Sequence, residues 1–362
     1  MGVMCTGPKR HKQAYPGFLP QLQNAIQDFS QDQLERVTRF GGLDIHDLID
    51  LSVNPQDYSV DAPQAVVEDE VIKYDQADKS LKDRGDALIN DNKIAFLILA
   101  GGVGTRIGKP KALLEIPGTN DTLLTHKLKS SKSIKNVWVL VSPEISAQVK
   151  QHLRDVGLER EGLHVIEQFE SVRLNSINNI FLNNNKPSFY PTGHGDAIPA
   201  MIHSNRLKEF LDAGGKHIFV SNVDNFAALP DSLICGLHDH SEKAVTCEVV
   251  QREENDSGGF LCNHMGINQI VEAFRLLPGT ETTHLNWLNT NTMIFRADLP
   301  FDAIKWSWHR VKKVVDGNVA VQYERLINQL TEVFDTQFIE VQRQNRFLPV
   351  KTVEDLKQIV ST

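Results

Sequence analysis

The sequence predicts an α/β fold, a mostly parallel central sheet flanked by helices, on three observations. Short apolar runs at Ile94–Leu99, Asn136–Val141 and His217–Val220 have the continuous hydrophobicity of strands buried on both faces. Amphipathic stretches over 143–156 and 204–213 separate them as crossover helices would. A glycine-rich loop follows the first run directly, at the strand end where such sheets bind ligands.

Before that first run, residues 1–92 read as a polar, mainly helical attachment. Helical periodicity covers Leu19 to Leu43, a further helix is expected from Gln76 to Ile89, and the proline-bearing stretch Asn54 to Gln64 between them looks like a linker. Residues 93–300 carry the strand–helix alternation, with another strand candidate at Thr290–Ala297, and 301–362 form a C-terminal segment.

Composition narrows the function classes. The chain of 362 residues has 38 Lys+Arg against 46 Asp+Glu, a net charge of −8, which argues against non-specific nucleic-acid binding. With 41% hydrophobic and 23% charged residues it can bury a full core. Four cysteines, Cys5, Cys235, Cys247 and Cys262, fit neither a disulfide framework nor a zinc site and suit a reducing, cytoplasmic setting. The apolar run Ile94–Ala100 is far shorter than the roughly 18 residues of a membrane span. Gly2, Cys5 and Thr6 match a loose acylation pattern, which short sequences also meet by chance.

The loop reads Gly101-Gly102-Val103-Gly104-Thr105-Arg106-Ile107-Gly108-Lys109-Pro110-Lys111. Its glycines let backbone amides approach a phosphate. It is not a Walker loop, because Val103 stands at the first glycine position and Pro110 follows Lys109. Nor is it a dinucleotide fingerprint, since the last position counted from Gly102 is Ile107.

Four later motifs follow in order: Tyr190–Asp196 (YPTGHGD), Phe219–Asn225 (FVSNVDN), Asn289–Thr292 (NTNT) and Arg346–Thr352 (RFLPVKT). With the G-G-x-G-T-R-x-G loop, this order resembles the UTP–glucose-1-phosphate uridylyltransferases over about residues 93–360. The resemblance implies a Rossmann-like nucleotidyltransferase fold and transfer of a uridylyl group from UTP to glucose 1-phosphate, giving UDP-glucose and pyrophosphate. It implies a nucleotide site at Gly101, Gly102, Gly104, Thr105, Gln168, Gly193 and Gly195, with the uracil beside the two glycines of GHGD. His194, Asn222, Glu272, Asn289 and Asn291 would meet the sugar phosphate, Asp224 a Mg²⁺ ion, and Arg106, Lys111 and Lys351 the reacting phosphates. Lys351 should be pinned by the preceding Phe-Leu-Pro-Val run.

Other readings of these residues stay open. Asp224 and Asn225 would also cap a following helix, Glu272 would also suit a strand edge, and Asn289 and Asn291 would also form a turn. Asp196 reads as a helix cap, His238 and His240 as a solvated helix end, and Trp306 and Trp308 as packing aromatics. The one-residue spacing between Gly108 and Pro110 also suits guanylyl- and cytidylyltransferases, and N-acetylglucosamine or galactose 1-phosphate are alternative acceptors. A catalytically silent nucleotide-sugar-binding protein is the rival of another class. It has no need of both lysines. The chain stops soon after Lys351, so the C-terminal β-helix used by eukaryotic family members for oligomerisation is expected to be missing, which favours a monomer.

Overall fold

The computed structural model describes residues 27, 29–38, 42–104 and 108–361. Its centre is a ten-stranded sheet. In chain order the strands are β1 (Val71–Lys73), β2 (Ile94–Leu99), β3 (Asn136–Val141), β4 (Leu163–Glu167), β5 (His217–Asn222), β6 (Val245–Gln251), β7 (Gly259–His264), β8 (Ile267–Glu272), β9 (Trp287–Arg296) and β10 (Thr336–Glu340). Across the sheet they run β1-β10-β6-β9-β5-β2-β3-β4, and the β7–β8 hairpin attaches through β9.

The neighbours β5, β2, β3 and β4 are parallel, as are β1, β10 and β6. Along that path β9 reverses, pairing antiparallel with both β6 and β5, and the β7–β8 hairpin is antiparallel as well. All six residues of β2 are buried, and their side chains alternate between two cores, Phe96 and Ile98 in one, Ala95 and Leu97 in the other. Helices Leu123–Ser130 and Pro143–Asp155 cover the first face; Ala197–His203 and Arg206–Asp212 cover the second. The three strands read from continuous apolar runs lie where the sequence puts them.

The boundaries expected at 92 and 300 cut through this one sheet. From the N-terminal third come β1, on the outer edge, and the buried Val60, Val66 and Val71. From the C-terminal segment comes β10, which lies inside the sheet between β1 and β6. Phe29, Val37, Leu43 and Leu48 pack with Val172, Leu174, Val321 and Tyr323 in a third cluster. A three-residue strand, Val-Ile-Lys after three acids, has no visible period, so β1 gave no signal.

Candidate active site

The parallel strands β5, β2, β3 and β4 end side by side. Beyond their carboxyl ends lies a cavity of about 220 Å³, lined by Leu99, Gly101, Gly102, Lys111, Leu140, Gln168, His194, Asn222, Val223 and Asp224. Seven of the residues singled out in the sequence are therefore brought together: Gly101, Gly102, Lys111, Gln168, His194, Asn222 and Asp224.

Leaving β2, the chain passes Gly101, where an added Cβ would stand 2.0 Å from the Gln168 Oε1, so a side chain there would displace the Gln168 amide from the cavity wall. The loop then returns: the Lys111 amide donates to the Gly102 carbonyl at 3.1 Å, and the Gly108 amide to that of Gly104 at 2.9 Å. This return places Lys111 opposite the turn after β5, with its Nζ 2.5 Å from Asp224 Oδ2. The pair is about a quarter exposed on both sides and opens on the cavity. Thr105 and Arg106 lie outside the described residues, as do Gly2 and Cys5.

The Asp224 turn is strapped from outside by the RFLPVK segment. Asn225 donates through Nδ2 to the Arg346 carbonyl and accepts at Oδ1 from the Leu348 amide. The Val350 amide donates to the Asp224 carbonyl at 2.8 Å. Val350 is fully buried and anchors the strap, whereas the Lys351 side chain is exposed and does not line the cavity. Neither Asp224 nor Asn225 caps the next helix; Asp231 does, accepting from the Ile234 amide.

On the opposite wall, buried Gln168 donates to the Gly193 carbonyl at 2.9 Å. His194 accepts the Ile327 amide at Nδ1, 3.0 Å away, and burial holds its pKa below the usual imidazole value. The ring is thus neutral near pH 7 with the proton on Nε2, a donor for an anionic ligand.

At Gly193 and Gly195 the space that a Cβ would take is filled by the chain itself. A Cβ on either would collide with the Arg325 backbone, at 2.4 Å from its oxygen and 2.8 Å from its carbonyl carbon respectively. Asp196 likewise makes no cap. It is buried against Arg325, with Nε 2.6 Å from Oδ1, and accepts from Thr192 and the Phe169 amide. Trp306 and Trp308 stand over that same guanidinium. His238 is not solvated either: it is fully buried, with Nδ1 bonded to Thr246.

Glu272, Asn289 and Asn291 do not line the cavity and form a second group. Gly259 sits between the first two, its missing Cβ 3.0 Å from Glu272 Oε1 and 3.4 Å from Asn289 Cβ. Asn289 and Asn291 bond to each other twice, at a shift in the β6–β9 register. Glu272 accepts from Asn328 Nδ2 at 2.9 Å, and burial pushes its carboxyl up to about 7. The turn holding His194 through Ile327 therefore also holds Glu272 through Asn328.

Sequence reasoning missed Arg325 and Asn328, which no local pattern marks. It also missed Lys127, for which a signal existed: Leu124, Lys127 and Leu128 share one helical stripe.

A family model described as UTP--glucose-1-phosphate uridylyltransferase matches residues 48–362. The UTP--glucose-1-phosphate uridylyltransferase of Encephalitozoon cuniculi is 26% identical over 314 residues, covering 80% of this chain and 61% of that protein. The Solanum tuberosum protein of that name is 24% identical over 325 residues, covering 82% and 67%. The chain thus spans a little under two thirds of the first of these relatives. Among solved structures, UDP-glucose pyrophosphorylase V402W of Leishmania major superposes with a TM-score of 0.71 at 20% identity, covering 94% of this chain and 78% of that one. The uridine diphosphate N-acetylglucosamine pyrophosphorylase of Trypanosoma brucei gives 0.72 at 17% identity, covering 93% and 81%. These two likenesses speak to the fold. The family model, which takes in β1 and the strap as well as the glycine loop, decides the rest: the chain belongs to the UTP–glucose-1-phosphate uridylyltransferase family.

Proposed function

We propose that the chain transfers the uridylyl group of UTP to glucose 1-phosphate, releasing pyrophosphate and forming UDP-glucose. The observation that carries this is the Lys111–Asp224 pair, which opens on the cavity at the ends of the parallel strands, beneath the glycine loop.

A sugar phosphate has its second pKa near 6, so its oxygen is already an anionic nucleophile at neutral pH and the chain need supply no base. That oxygen attacks the α-phosphorus in line. A new O–P bond forms as the α–β bridging bond breaks, and the electron pair leaves on pyrophosphate. Lys111 and Arg106 of the same loop neutralise charge on the phosphates, Thr105 donates its hydroxyl to them, and Lys351, exposed at the end of the strap, meets the part of the polyphosphate that extends beyond the cavity. His194 donates its Nε2 proton to a phosphate oxygen. Gln168, already at the cavity wall, reads the base edge, and Asn222 holds the sugar phosphate; Glu272, Asn289 and Asn291 accept from and donate to glucose hydroxyls.

Among the described residues no cluster of three or more His, Cys, Asp or Glu side chains occurs. One partly exposed carboxylate, Asp224, fits Mg²⁺, which is typically held by one or two carboxylates with substrate phosphates and water completing the shell. Bound there, the ion would add positive charge where the phosphates develop negative charge. Among the described residues no helix is long and apolar enough to cross a membrane; a cytoplasmic setting is proposed from the scattered cysteines, which suit a reducing compartment.

Pyrophosphate release is to be measured with UTP, CTP, GTP and ATP against glucose-, galactose- and N-acetylglucosamine 1-phosphate. UTP with glucose 1-phosphate should give the highest kcat/KM. Preference for another pair overturns the substrate assignment, and no turnover with any pair overturns the enzyme.

A further inference from the structure

Lys127 lies on the apolar stripe of helix Leu123–Ser130 and is fully buried. Its Nζ donates to the Ala228 carbonyl at 2.6 Å and to Ser221 Oγ at 3.2 Å, and sits 5.9 Å from the centre of the Phe96 ring. Ser221 immediately precedes Asn222, and Ala228 ends the same excursion, so one ammonium grips both ends of the turn that presents Asn222 and Asp224. We propose that Lys127 is a positioning residue for the reaction, clasping the Asp224 turn from within the core while the RFLPVK strap holds it from outside.

The charged groups around it are Asp224 on the turn, Glu248 on β6 and Arg346. Glu248 is already engaged by Arg346, which donates from Nε at 3.0 Å and also from Nη2. No carboxylate of the described residues lies within ion-pair distance of Lys127, although a buried ammonium without one is costly. Burial accordingly pushes its pKa down to about 7. Were packing the whole role, a methionine of similar length would fill the stripe without that penalty. What methionine lacks is the pair of hydrogen bonds to the turn.

This inference deepens the uridylyl-transfer reading and rests on it for the role of Asp224. The test compares full-length wild type, Lys127→Met and Lys127→Gln, the last keeping an amide donor. Hydrogen exchange is read at residues 223–228, whose amides at Val223, Asn225, Phe226 and Ala228 are bonded in the native turn. In Lys127→Met these should exchange about tenfold faster. Its kcat should fall about tenfold with both KM values within about threefold of wild type, and Tm should not drop. Lys127→Gln should recover part of the kcat. Unchanged exchange in the turn, or a lowered Tm with kcat retained, overturns the proposal. If the wild type itself releases no pyrophosphate while the Met variant still loosens the turn, the clasp stands and the uridylyl-transfer reading falls.

Discussion

The two groups of polar residues at this end of the molecule are built on different principles. The cavity group draws on adjacent parallel strand ends, so a few residues after each of β2, β4 and β5 suffice to supply Gly101, Gln168, Asn222 and Asp224. Its central contact is an ion pair between Lys111 and Asp224. The second group draws on the end of a hairpin, a register shift and a turn far along the chain, and its contacts are amide hydrogen bonds around one carboxyl that burial has made hard to ionise. Charge neutralisation tolerates a lysine about a quarter exposed. Reading hydroxyl groups needs side chains held by their neighbours.

If that division is right, the cavity group should control turnover. Chelation with EDTA should abolish pyrophosphate release and restored Mg²⁺ should return it; turnover that ignores EDTA would remove Asp224 from its role. Lys111→Ala should lower kcat/KM by about 10³-fold, roughly 4 kcal/mol of lost charge stabilisation. The same variant should melt within a few degrees of wild type, because partly exposed ion pairs contribute little to stability.

The second group should show itself in pH dependence and in sugar affinity. Glu272 ionises near 7 in the folded chain against 4.5 for the reference carboxyl. Between those values the unfolded chain loses its proton first, so native stability falls as pH rises through that window. Glu272→Gln keeps the acceptor for Asn328 and removes this loss, so it should gain on wild type by about 1–3 kcal/mol between pH 4.5 and 7. Denaturant melts across that range measure it, and parallel curves would place Glu272 in water. The smallest effect is expected for Asn289→Ala, with KM for glucose 1-phosphate raised about fivefold and that for UTP unchanged. A change confined to UTP would move Asn289 out of the sugar group.

The same contrast explains what the sequence could show. Lys111, Gln168, His194 and Asp224 stand in or beside short contiguous motifs at strand ends, where the fold class alone says chemistry should lie. Asn328 and Arg325 act through partners more than 50 residues away, Glu272 and Asp196, and a lone residue carries no pattern of that kind. Gly193 and Gly195 were legible as sites of close approach, and the Arg325 backbone makes one such approach on the side a Cβ would take. One sheet crosses the expected boundaries at 92 and 300 through β1 and β10, which gave no warning in the sequence because they are short and contributed by opposite ends of the chain.

That last arrangement bears on biosynthesis. Among the described residues β1 pairs with β10 alone, and β10 is the last strand of this sheet to leave the ribosome. At about 5–20 residues per second, β1 waits on the order of tens of seconds for its only partner. During that interval its three residues are too few to template association with another nascent chain, and the acidic turn Glu68–Glu70 just before it discourages the attempt. A strand that would be a weak element in a finished sheet is a safe one to leave unpaired during translation.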